Sequence, residues 1–121
     1  MKPDQKGILR IVHATFNSLR GFRLGWQSEA AVRQDIALCI VLAAVALLVP
    51  VSTVEKILMF GSLLLLLIVE FLNTSVEAAI DRIGPERHEL SGKAKDTAST
   101  AVFFALANIA LTYGLILWQF Q

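Results

Sequence analysis

The chain has 121 residues, 55% of them hydrophobic and 17% charged, with a mean hydropathy of +0.63. Such values exclude an ordinary soluble domain of this length and indicate one small membrane domain. The net charge of +1 gives no footprint for nucleic acid, and the single cysteine, Cys39, rules out an intrachain disulfide and reads as a packing residue in an apolar run.

The first predicted element is an amphipathic helix over about residues 7–29. Ile8, Ile11, Val12, Thr15, Phe16, Leu19 and Phe22 form an apolar ribbon, with Lys6, Arg10, Asn17, Arg20 and Arg23 mostly off it. A helix of this kind lies in the plane of the membrane interface. Gly21 and Gly25 mark either a break in it or a close helix contact. Residues 7–34 carry charges at intervals and no unbroken apolar core, so no cleavable signal peptide is expected.

Three apolar segments follow. Ile36 to Val49 is apolar throughout, yet its rise of about 21 Å falls short of the roughly 30 Å hydrocarbon core, so the span must extend over about 30–50. The second span is predicted over 54–81 and the third over 97–118, closing on the interfacial anchor Trp118. No repeat, low-complexity tract or linker divides the chain, which is read as a single domain over 1–121.

Basic residues set the expected topology. Six precede the first span (Lys2, Lys6, Arg10, Arg20, Arg23, Arg33) and four lie between spans two and three (Arg82, Arg87, Lys93, Lys95); the intervening turn holds only Lys56. The positive-inside rule then places the amino terminus and the second loop in the cytoplasm and the carboxyl terminus outside.

The second span ends in E-F-L-N-T-S-V-E-A-A-I-D, where Glu70, Asn73, Thr74, Glu77 and Asp81 fall within roughly 50° of one direction on a helix. Carboxylates in or beside a bilayer are costly, so an ordered row of them reads as a functional site. Glu70 and Glu77 are two turns apart, about 10.5 Å along the axis, and cannot chelate one metal together. Glu77, near the expected cytoplasmic end with Asp81, is the candidate for Mg²⁺ carried by nucleotide phosphates. Glu70 lies deeper, where scarce water suits it to take a proton from a hydroxyl at the lipid boundary. Asn73 orients the base or the substrate, or packs against a neighbouring helix.

Glu29, in W-Q-S-E-A-A-V-R-Q-D, is read as the only other carboxylate close to a span entrance. It completes a metal site with Glu77 if the two segments are adjacent, or supplies acidic first-turn charge to a helix started by Ser28. In R-I-G-P-E-R-H-E-L-S-G-K-A-K-D, a Gly-Pro turn leads to His88, Lys93, Lys95 and Asp96; Lys95 either clamps a phosphate or only sets topology. The chain holds no Walker or kinase glycine loop, no Cys/His metal cluster and no G-x-S-x-G. Phosphoryl transfer demands mostly positioning and charge neutralisation, which carboxylates, a base and a few cations can supply.

Together E-F-L-N-T-S-V-E-A-A-I-D-R-I-G, H-E-L-S-G-K-A-K-D, A-x-R-Q before the first span and the closing I-L-W resemble the prokaryotic diacylglycerol kinases, small integral membrane lipid kinases. The resemblance spans almost the whole chain. It implies an all-α homotrimer of three-span protomers, each with an N-terminal surface helix, in the bacterial inner membrane. Active sites would lie between protomers, with Mg-ATP as donor and diacylglycerol as acceptor. It also implies Glu70 as base, Asn73 in support, and Glu29 and Glu77 on the metal. Arg10, Asn17, Glu86, Arg87, His88, Lys95 and Asp96, with Glu29 and Glu77, fall where the family contacts nucleotide. Arg10, Ser18 and Gln34, with Glu70, fall near lipid, and Asp81 supports the site. Asn17 and Arg87 stand where the family often has Tyr. The loop is similar to the diacylglycerol branch rather than the undecaprenol branch. A proton-coupled transporter and a structural subunit are the rival classes; the first leaves the cationic loop without a purpose, the second the polar stripe.

Overall fold

The computed structural model describes residues 6–86 and 88–121. Four helices follow one another: α1 (Gly7–Ser28), α2 (Ala30–Leu48), α3 (Thr53–Ile83) and α4 (Glu89–Trp118), and no strand occurs among the described residues. Helices α2, α3 and α4 are each long and apolar enough to cross a membrane. The protein is thus an all-α membrane chain with an amphipathic helix before three spans.

Local chemistry sets the helix ends. Glu29 adopts extended backbone (φ −125°, ψ 115°) and forms the joint between α1 and α2, while its N–H donates to the Gly25 carbonyl at 3.0 Å. The helix boundary is therefore at Glu29, and Ser28 closes α1 rather than starting α2. Arg33 Nη1 donates to the carbonyls of Trp26 and Gln27, placing a cation at the end of α1 where unpaired carbonyls collect. Helix α2 stops before Pro50, which cannot donate a helical hydrogen bond. Ser52 and Glu55 then form a capping box at the start of α3, with bonds of 3.1 and 2.9 Å. Gly84 (φ +143°) turns the chain out of α3, a backbone conformation that L side chains rarely adopt. His88 Nδ1 accepts the Leu90 N–H at 3.0 Å and caps α4. That cap starts α4 at Glu89, well before the apolar stretch marked from Thr97, so Lys93, Lys95 and Asp96 lie on helix rather than in a loop.

Helix α3 is central. It packs against α4 and α2 along the bundle and meets α1 near one end. Cys39 and Ala46 of α2, Met59, Leu63 and Leu66 of α3, and Ala105, Ile109 and Tyr113 of α4 make the core. Small residues let the helices approach closely, which matters where lipid removes the hydrophobic drive for helix pairing. The Tyr113 hydroxyl donates to the Leu42 carbonyl at 2.8 Å, and Gln119 Nε2 donates to Glu55 at 2.8 Å, so α4 is tied to α2 and to the start of α3. Outward-facing Leu64, Leu65, Ile68, Phe103, Phe104 and Leu111 are exposed, as lipid-facing or subunit-facing surfaces are.

Lys56 gains a structural explanation here. Its ammonium donates to the carbonyls of Ala46 (2.6 Å), Leu47 (3.2 Å) and Val49 (3.2 Å) at the end of α2, where helical partners run out; the Val49 carbonyl also accepts the Val51 N–H at 2.9 Å. Lys56→Met is expected to destabilise the protein by about 1–2 kcal/mol through loss of these charge-assisted bonds. The midpoint of thermal unfolding in detergent micelles measures this; an unchanged midpoint would show that water replaces the ammonium without cost.

Candidate active site

The acidic row of α3 is an ordered polar ridge. Glu70 is only 3% exposed. Asn73 Nδ2 lies 3.4 Å from both Glu70 Oε2 and Glu77 Oε1, so one amide stands between the two carboxylates, whereas Asn73 Oδ1 is buried without a partner. The Thr74 hydroxyl donates to the Glu70 carbonyl at 3.1 Å and stays within its helix.

Across from this ridge, the α1–α2 joint presents Glu29 to Glu77, carboxyl to carboxyl. Partial burial and then the facing Glu77, with smaller contributions from Glu70 and Asp81, push the Glu29 pKa above the usual carboxylate range. The folded state therefore holds this proton more tightly than the unfolded chain does. The metal-free protein is expected to lose stability as pH rises through the window between the unfolded value and the raised folded one, and Glu77→Gln should flatten that loss. Unfolding midpoints in micelles across pH test this, and a slope of opposite sign would refute it.

Further along α3, Asp81 is paired with Lys95 of α4 at 3.1 Å. Beside this pair a cavity of about 610 Å³ is lined by Gly84, Glu86, His88, Lys95 and Asp96, among others. Arg87 lies outside the described residues. A second, more apolar cavity of about 520 Å³ runs between α1 and α3, lined by Ser18, Phe22, Gly25, Phe71, Thr74 and Ser75 with neighbouring residues. Its floor explains Gly25: a Cβ there would come within 2.7 Å of the Phe71 ring, and Phe22 stacks on the same ring at 5.6 Å. Gly25 thus makes a close helix contact, while Gly21 faces open space and α1 is unbroken at both. The Ser18 hydroxyl donates back to the Ala14 carbonyl at 2.9 Å. Arg10 and Asn17 are exposed on α1 and Gln34 on α2, and no hydrogen bond joins them to the acidic ridge among the described residues.

The cluster also contains Asp35 of α2, whose carboxyl lies within hydrogen-bond reach of Glu70 and whose Oδ2 is buried without a partner. This corrects the expectation that Glu29 is the only other carboxylate near a span entrance. The signal was present in the chain: a first span drawn back to Ala30 contains Asp35, and a carboxylate inside a span is a candidate by default.

Comparison with the sequences of known proteins decides the affiliation. The profile of the prokaryotic diacylglycerol kinase family matches residues 16–117. The chain belongs to that family. It is 49% identical over 113 residues to a diacylglycerol kinase of Pseudomonas aeruginosa, covering 93% of this chain and 92% of that one. It is 39% identical over 119 residues to a diacylglycerol kinase of Escherichia coli K12, 98% of each, and 34% identical over 118 residues to one of Helicobacter pylori J99, covering 98% of this chain and 85% of that one.

Membership in the prokaryotic diacylglycerol kinase family implies a phosphoryl donor with a metal ion. No three acidic, His or Cys side chains converge on one point among the described residues. The facing Glu29 and Glu77 nevertheless suit Mg²⁺, which is held by one or two carboxylates and takes its other oxygens from water and substrate phosphates. A cation between them would also relieve the repulsion that raises the Glu29 pKa.

Proposed function

We propose that this chain is an ATP-dependent lipid kinase that transfers the γ-phosphoryl group of Mg-ATP to the primary hydroxyl of diacylglycerol, giving phosphatidic acid. The observation that carries this reading is the buried Glu70, linked through the Asn73 amide to Glu77 on one helix that runs out of an apolar span, in a chain matched over nearly its full length by diacylglycerol kinases.

In this mechanism the lipid hydroxyl oxygen attacks the γ-phosphorus, the bond to the bridging oxygen breaks to leave ADP, and the hydroxyl proton passes to Glu70. Glu77 and Glu29 would hold Mg²⁺, which when bound would neutralise phosphate charge. The Asn73 amide fixes the carboxylates on either side of it. Arg10, Asn17, Glu86, Arg87, His88, Lys95 and Asp96 contact nucleotide, with Lys95 exchanging Asp81 for a phosphate oxygen and Asp81 supporting that exchange. Arg10, Ser18 and Gln34 lie on the lipid side, where the groove between α1 and α3 would take the substrate's glycerol and upper acyl chain.

A homotrimer accounts for two observations: the broad apolar faces of the bundle, and the lack, among the described residues, of any hydrogen bond from Arg10, Asn17 or Gln34 to the acidic ridge. The enzyme is placed in the inner membrane, with the amino terminus and the α3–α4 connection cytoplasmic and the carboxyl terminus periplasmic. Lys56, the one basic residue on the far side, is engaged by backbone carbonyls and does not oppose that orientation.

The test offers diacylglycerol and undecaprenol separately to purified protein in mixed micelles with labelled ATP and Mg²⁺. Phosphatidic acid as the main product is expected. A dominant undecaprenyl phosphate product would reassign the acceptor, and no transfer to either lipid by folded protein would overturn the kinase reading.

A further inference from the structure

The groove between α1 and α3 ends on an aromatic ring. Its α3 wall runs from Phe71 through Thr74 and Ser75 to Ala78, about 10 Å of helix, and Phe71 lies at the end nearest the apolar span. Two residues of α1 hold that ring. Phe22 stacks on it with centroids 5.6 Å apart and 25° between the planes, and Gly25 is buried against its edge. The approach at Gly25 is closer than a side chain permits: a Cβ there would stand 2.7 Å from Phe71 Cε1 and 3.3 Å from Cδ1. Gly25 lies inside α1 without a positive φ, so the backbone does not call for glycine there; the ring does. The groove also borders the acidic ridge. Thr74 lines it and donates to the Glu70 carbonyl at 3.1 Å, and Phe71 is the residue next to Glu70. A lipid chain lying in the groove therefore passes this ring beside the proposed base.

We propose that Phe71 is a specificity-determining residue for the acceptor lipid: its ring, pinned by Phe22 and by the backbone of Gly25, sets the width of the groove so that an unbranched acyl chain is accepted and a methyl-branched isoprenoid chain is rejected. The proposal rests on the lipid kinase reading for its kinetic consequence, but the groove's choice between chains is measurable without it. An acyl chain is a smooth run of methylenes that lies flat on an aromatic face. A polyprenyl chain carries regularly spaced methyl branches and needs extra width at each. The Phe71 ring has a stacked partner and a backbone at its edge, so it yields that width only by breaking close packing. A wall that rejects a single methyl group discriminates by about tenfold or more. Phe71 touches the chain of the lipid and none of the reacting atoms.

The experiment offers diacylglycerol and undecaprenol in mixed micelles to the unaltered protein, to Phe71→Leu, to Gly25→Ala and to the double variant. Phe71→Leu is expected to lower the ratio of kcat/KM for diacylglycerol to that for undecaprenol by at least about tenfold, with KM for Mg-ATP within about twofold. Gly25→Ala, whose methyl drives the ring into the groove, is expected to lower kcat/KM for diacylglycerol by about fivefold or more. The double variant should recover to within about twofold, because the shorter leucine makes room for the methyl. An unchanged ratio in Phe71→Leu overturns the proposal. So do losses that simply add in the double variant, which would mean that Gly25 acts other than through the ring.

A second measurement does not depend on turnover. Ser75 is exposed on the groove wall, so Ser75→Cys in a Cys39→Ala background places the chain's single thiol beside Phe71. Diacylglycerol is expected to slow alkylation of that thiol by a water-soluble maleimide by at least about threefold, undecaprenol to leave it unchanged, and the two lipids to protect alike once Phe71 is replaced by leucine. Protection by neither lipid, or by both alike with Phe71 in place, refutes the proposal whether or not the protein phosphorylates lipid. Selective protection in a protein that transfers no phosphoryl group would instead refute the kinase reading alone.

Discussion

Glu70→Gln is expected to abolish phosphoryl transfer, by about 10³-fold or more, while the affinity for Mg-ATP changes little. Glutamine matches glutamate in shape, so the packing of a side chain that is 3% exposed is conserved. What disappears is the ability to accept a proton at a side chain that burial shields from bulk water. Nucleotide affinity should be spared because the facing carboxyls of Glu29 and Glu77 and the cavity beside Lys95 lie farther along α3. Transfer assays combined with calorimetric titration of Mg-ATP separate the two quantities. Turnover retained within tenfold would remove Glu70 from the role of base, and loss of nucleotide binding would place it in the metal site instead.

The second large effect concerns Glu77. Glu77→Gln should raise the KM for Mg-ATP by at least about tenfold, since half of a two-carboxylate site for a hard cation is lost. Glu29→Gln should act in the same direction, and the double variant should cost less than the two single effects combined, because either single change already breaks the bidentate arrangement. Titrating Mg²⁺ at fixed ATP reads this directly. Strict additivity would show that Glu29 and Glu77 serve separate ions or separate ligands. The Asn73 amide, which lies 3.4 Å from each of Glu70 and Glu77, makes a modest fall in kcat an expected companion of Glu77→Gln, smaller than that of Glu70→Gln.

The reach of the sequence is clearest along α3. A leucine-rich run followed by acids at helical spacing gives both the span and the ridge, because periodicity within one helix needs no tertiary information. Relations between helices are different. That Asp35 turns toward Glu70 depends on how α2 is rotated against α3, and that Gly25 meets Phe71 depends on the angle at which α1 returns to the bundle; neither is written in the spacing of one segment. The start of α4 was obscured for another reason. Apolar content marks the membrane part from Thr97, whereas the helix begins where the His88 side chain caps it, at Glu89, on residues too polar for a hydropathy argument to include. The role of Lys56 is not legible in the sequence because its acceptors are backbone carbonyls, which every residue has and no sequence pattern advertises.

Helix α3 runs without interruption from Thr53 to Ile83, a rise of about 46 Å against a hydrocarbon thickness of roughly 30 Å. One rigid rod therefore carries the chain from lipid into water, and every depth along it displays a fixed chemical identity. One turn deeper than Glu70 lies Leu66, fully buried; one turn outward lies Thr74, whose hydroxyl is bound to its own helix. A hydroxyl displaced by a single turn, about 5.4 Å, meets hydrocarbon or an occupied alcohol instead of a base. With Glu70 as the proposed base, acceptor choice would acquire a vertical scale: the helix would work as a graduated gauge, and a lipid would be phosphorylated according to the height at which its own architecture holds the reactive oxygen.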